Sequence, residues 1–89
     1  MRIVTIDCST IADRDGFHTA MEEALGFPSW YGRNLDALHD CLTDISEDTR
    51  IHLVNWADAE EKLGNYARSA KRAILEAAIE NRNLAVLFD

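Results

Sequence analysis

The chain has no long hydrophobic run. Its longest uninterrupted apolar stretch is LAVLF at 84–88, far short of the ~20 residues needed to cross a bilayer. Nor does an apolar segment follow Met1 in the manner of a secretory signal. Cysteine is scarce: Cys8 and Cys41 are 33 positions apart, which is neither a metal-ligand spacing nor a redox CxxC, so two reduced structural thiols are expected rather than a disulfide framework. Positive charge is also scarce, with nine Lys and Arg against sixteen Asp and Glu, a net charge of -7. That imbalance repels phosphate backbones and anionic lipid and attracts basic partners. Together these features point to a soluble cytoplasmic protein that binds neither nucleic acid nor membrane.

Repeats, low-complexity tracts and linkers are absent too, so residues 1–89 are expected to form one domain. Apolar residues make up 47% and charged residues 28% of the chain, an ordinary globular mixture. At this length roughly 64% of the open-chain surface can be buried, enough for one modest core.

The local patterns give the order β, α, α, β, α, α, β. Ile3, Val4, Thr5 and Ile6 form a β-branched run before Cys8, Ser9 and Thr10 break it, predicting a strand over 2–7. Phe17, Met21, Ala24 and Leu25 repeat at helical spacing, with Asp13 and Asp15 as cap candidates and Gly26 as terminator. His18, beside Phe17, is expected on an exposed turn of that helix, without a special role. The segment FPSWYGRN at 27–34 mixes turn formers with two large aromatics. Asn34 then caps a second helix whose Leu35, Leu38, Leu42 and Ile45 form an apolar stripe, ended by 46–49. A second strand spans 50–55, with His52 as a structural or surface residue. A short helix follows over 56–63, ended by Gly64, and Asn65 is read as the cap of a longer helix over 66–81. LAVLF is the third strand. Strands buried on both faces and separated by helices predict an α/β fold, a three-stranded parallel sheet packed with about four helices.

The second helix holds the most informative pattern. Its apolar side chains centre opposite Asp36, Asp40 and Asp44, so three carboxylates line the outward face. No Lys or Arg lies between Arg33 and Arg50, while Glu47 and Asp48 add negative charge at the helix end. Like charges at i, i+4 and acids near a helix C-terminus both destabilise a helix, so stability does not account for the row. Trp30 and Tyr31 immediately precede it. Aromatic anchors beside clustered carboxylates suggest a surface that docks into a basic cleft, with at least one of the two aromatics expected in the core. Glu76 and Glu80 form a further i, i+4 acidic pair on the last helix, which by itself reads as ordinary surface.

The segment from Phe27 to Thr43, and YGRNLDALHDCLT within it, closely resembles the barstar family, intracellular inhibitors of the bacterial ribonuclease barnase. The resemblance extends over the chain in length and element order. It implies a three-stranded parallel sheet packed with helices, and an inhibitor that plugs a ribonuclease active site with the second helix and the loop before it. It implies that Asp40 is the principal acid, occupying the enzyme's substrate-phosphate site, with Asp36 a second interface acid and Glu76 a third. Trp30 stands where the family has a Tyr that packs on the enzyme's catalytic His, and Gly32 and Asn34 match loop positions that shape the docking surface. Two departures stand out. His39 replaces a Trp, removing apolar contact area, and Arg33 replaces an acid, adding positive charge. They point to a related ribonuclease with a different cleft rather than barnase itself.

The expected site is therefore a partner-binding one, made of Trp30, Tyr31, Gly32, Asn34, Asp36, His39, Asp40, Asp44, Glu76 and Glu80. The partner would be a basic secreted or toxin ribonuclease, and the free inhibitor a monomer with no cofactor or metal. Two other readings use the same residues. Asp36, His39 and Asp40 could hold a metal or form an acid-base pair, although no second cluster completes such a site. Alternatively, the acidic face could belong to an adaptor that binds another basic protein.

Overall fold

The computed structural model describes residues 1–89. The elements follow as β1 (Arg2–Asp7), a 3-10 turn at Cys8–Thr10, α1 (Arg14–Leu25), α2 (Leu35–Thr43), β2 (Thr49–Val54), α3 (Trp56–Leu63), α4 (Asn65–Glu80) and β3 (Leu84–Phe88). The three strands form one parallel sheet in the order β1, β2, β3, with Val4 opposite Ile51 and Ile51 opposite Val86.

Side-chain chemistry fixes the helix ends. Asp13 accepts from the Gly16 amide at 2.7 Å to start α1, and Asn34 accepts from the Ala37 amide at 2.8 Å to start α2. Each satisfies one of the amides that a helix N-terminus leaves without a partner. Gly26 closes α1 in the left-handed conformation, φ 67°, where a side chain would be strained. Asn65 does not cap α4: it is the first helical residue, and Gly64 precedes it without any side-chain cap.

The sheet is covered on one face only, contrary to the expectation from its apolar strands. Val4, Ile6, Thr49, Ile51, Leu53 and Leu84 are buried, while Ile3, Thr5, Arg50, Ala85 and Leu87 on the alternate positions are exposed. Strands laid down in sequential order and joined by right-handed crossovers put every connecting helix on the same side. The core therefore lies between that face and the helices. It is built on Phe17, Met21, Leu38, Leu42, Ile74 and Trp56 together with the inward strand residues.

The helices α2 and α4 pack against each other and each leads directly into a strand of the same parallel sheet. They run in the same direction, with their C-terminal ends together. Asn81, just past α4, is buried there and its side-chain amide donates to the main-chain carbonyls of Leu42 and Ile45, both at 2.9 Å. They lie at and just beyond the end of α2, where helical hydrogen bonding gives out. Asn81 thus fixes the position of α2 relative to α4.

Candidate functional site

The loop 27–34 turns Trp30 and Tyr31 in opposite directions. Trp30 is 78% exposed, whereas Tyr31 is 5% exposed and packs on Phe27 with ring centroids 4.9 Å apart. The expectation that one aromatic belongs to the core is met by Tyr31. Gly32 brings the loop close to the start of α2: a Cβ there would lie 3.3 Å from that of Ala37. With Asn34 capping the helix two residues later, Gly32 and Asn34 set the angle at which the loop enters α2.

Beneath the loop lies a buried polar centre that periodicity misassigned. His18 is 2% exposed, not on an exposed turn. Its Nδ1 is 2.6 Å from the Tyr31 hydroxyl and its Nε2 is 2.6 Å from the Tyr66 hydroxyl. A neutral imidazole has one donor and one acceptor nitrogen, so one phenol donates and the other accepts, and both ring nitrogens are satisfied. Burial, followed by the charge of Arg33, holds His18 below the ordinary histidine range. His18 ties α1, the loop and α4 together. Its spacing to Met21 and Leu25, i+3 and i+7, is that of the buried stripe, a signal outweighed by the polarity of the ring.

Arg33 is also turned inward. At φ 53° it takes the left-handed conformation, and its guanidinium donates to Glu22 at 2.8 Å, to the Asp15 carboxylate at 2.8 Å and to the Thr19 hydroxyl at 2.7 Å. Its charge is neutralised against α1 rather than added to the acidic helix. The departure that looked adverse to a basic partner becomes a brace for the loop.

On α2 and at the residue that ends it, Asp36, Asp40 and Asp44 are all exposed, as their spacing requires. The Asp40 side chain is 82% exposed and has no Lys or Arg of its own chain within ion-pair distance. Trp30, Tyr31 and Gly32 on one side, and Asp40, Cys41, Thr43 and Asp44 on the other, line an open cleft of about 320 Å³. Burial, then the charges of Asp44 and Asp40, pushes up the Cys41 thiol. Burial likewise pushes Cys8 up to about 11, so neither is a reactive thiolate. Both are unpaired.

The exposed Glu76 and Glu80 on α4 extend the acidic surface across the helix pair. Nε2 of His39 meets Glu80 Oε2 at 2.5 Å, and its Nδ1 stands 3.8 Å from Asp40 Oδ1. This bridge between helices lies 41 positions apart in sequence, beyond the reach of helical periodicity. No three His, Cys, Asp or Glu side chains converge in a group that could hold a metal ion, and His39 already engages Glu80. What the surface can do chemically is accept charge-assisted hydrogen bonds from cations through several carboxylates held on a rigid helix pair.

The chain matches the family described as Barstar (barnase inhibitor) over residues 1–89. It is 37% identical over 81 residues to the protein named "Putative ribonuclease inhibitor YrdF" from Bacillus subtilis (strain 168), covering 90% of this chain and 89% of that protein. The family is one of inhibitors rather than enzymes. Matched along its whole length, with YGRNLDALHDCLT forming the loop and helix of the exposed face, the chain belongs to the barstar family.

Proposed function

We propose that the chain inhibits a small, basic, barnase-like ribonuclease by docking Trp30 and the acidic α2 face into its active site. The observation that carries this reading is the exposed Asp40 carboxylate, free of any Lys or Arg partner, on the rim of a cleft walled by Trp30. A ribonuclease stabilises the developing charge on phosphate with cations that wait in a cleft when RNA is absent. Asp40 stands in for the phosphate oxygens, Asp36 and Glu76 engage further cations, and Asp44 and Glu80 add to the attractive field. Trp30 supplies the apolar contact that excludes water, with Gly32 and Asn34 shaping the loop around it, while Tyr31 holds that loop from beneath. The enzyme is blocked by occupancy, without chemistry.

The natural target is a secreted or toxin enzyme, against which a monomeric inhibitor protects the cytoplasm of the producing cell. The two unpaired thiols support a reducing compartment, and no helix is long and apolar enough to cross a membrane. Incubating the protein with a panel of small microbial ribonucleases, barnase included, and measuring residual RNA cleavage tests the proposal. Stoichiometric loss of one enzyme's activity is expected. No inhibition across the panel, with capture of a different basic protein, would establish the adaptor reading instead.

A further inference from the structure

The contact between His39 and Glu80 occupies a carboxylate at the edge of the acidic face, and a purely charged docking surface would leave that carboxylate free. We propose that His39 is a positioning residue of this face: it holds Glu80 against α2 and, through its protonation state, sets how much negative charge the face presents to a cationic partner. The inference rests on the ribonuclease-inhibitor reading and adds a determinant of partner strength to it.

The geometry supports both halves. His39 sits between two helices with Glu80 of α4 on Nε2 and Asp40 of its own helix near Nδ1, and these two are the charged groups that act on it. When the ring is neutral, Nε2–H donates to Glu80 and Nδ1 directs a lone pair toward Asp40. Proton uptake at Nδ1 then places an N–H beside Asp40 and a positive charge between two carboxylates. The hydrogen bond to Glu80, ahead of the charges of Glu80 and Asp40, accordingly holds His39 above the ordinary histidine range. The imidazolium cancels one negative charge on the face. A cationic partner seated on Asp40 repels it, so complex formation expels the proton. The free inhibitor then holds more protons than the complex, and affinity falls as pH drops through the His39 titration.

Two measurements test this, and the first needs no ribonuclease. Proton NMR titration of the free protein should give a His39 midpoint above 6.5, and Glu80→Gln should lower it. A His39 midpoint that does not respond to Glu80→Gln overturns the proposal whatever the protein inhibits. The second compares inhibition constants at several pH values for wild type and His39→Gln, using the ribonuclease that the panel singles out. Gln keeps a donor for Glu80 without a titrating charge, and the shared enzyme cancels its own titrations. Wild-type affinity should weaken relative to His39→Gln by up to tenfold per pH unit below the His39 midpoint. Parallel pH profiles for the two overturn the charge-setting role. If no ribonuclease is inhibited, the inhibitor reading fails by itself, while the titration still decides the contact.

Discussion

The hydroxyl of Tyr31 lies 2.6 Å from Nδ1 of His18, a residue thirteen positions earlier and buried beneath the loop that presents Trp30. Tyr31→Phe would leave that buried nitrogen without a partner, which costs about 1–3 kcal/mol. Chemical denaturation should show a fall of that size. If Tyr31→Phe is as stable as wild type, the polar centre does not support the loop.

The same centre sets a pH dependence. Because the folded ring takes up a proton less readily than the ordinary histidine at 6.5, the unfolded chain binds more protons below that value. The contribution of His18 is fully present above pH 6.5 and declines as pH falls. The slope is at most about 1.4 kcal/mol per pH unit for one proton. His39 acts in the opposite sense, its contribution being present at low pH and lost as pH rises through its raised midpoint. Measured in a His39→Gln background to isolate His18, stability at pH 5 should be lower than at pH 7. Equal stability would mean that His18 is not held neutral by burial.

Trp30 and its neighbour should separate function from folding. Trp30→Ala removes an exposed ring and should change stability by no more than about 0.5 kcal/mol. As an aromatic anchor it should weaken inhibition by about 2 kcal/mol or more. A paired measurement of unfolding and inhibition constant decides this, and unaltered inhibition would remove Trp30 from the docking surface.

Asp40→Ala should act more strongly and move the two properties in opposite directions. It removes like-charge spacings to Asp36 and Asp44, takes an acid from the last turn of α2 and introduces a better helix former. The free protein should gain a few tenths to about 1 kcal/mol. In the complex, the enzyme's cations are left buried and unpaired, a loss of about 2–5 kcal/mol. Thermal unfolding and inhibition of the same variant check both. A lower Tm with inhibition intact would make Asp40 structural.

Asn81 offers the contrasting case of a residue kept for architecture. Asn81→Ala strips the donor from the carbonyls of Leu42 and Ile45 and the acceptor from the turn to Asn83, whose amide donates to Asn81 Oδ1 at 3.0 Å. A loss of about 1–3 kcal/mol in urea unfolding is expected. A neutral effect would show that packing alone aligns α2 with α4.

Local chemistry, read along the chain, was enough for the order of elements, the cap at Asn34, the choice of Asp13 or Asp15 at the start of α1, the stop at Gly26 and the outward row of Asp36, Asp40 and Asp44. Each depends on contacts within a turn or two, where spacing and side-chain type suffice. The motif at 31–43 likewise carried the family resemblance, because the loop and helix that it forms are contiguous in sequence. The tertiary structure alone decided that His18 is buried, that Arg33 is spent on Asp15 and Glu22, and that His39 reaches Glu80. It also decided that Asn81 ends α2 and that the sheet is covered on one face. Those outcomes join side chains from 11 to 48 positions apart, or depend on the side of the sheet to which each crossover folds. One-dimensional periodicity gives the direction in which a residue points from its own helix, and only the packed chain supplies what it meets there.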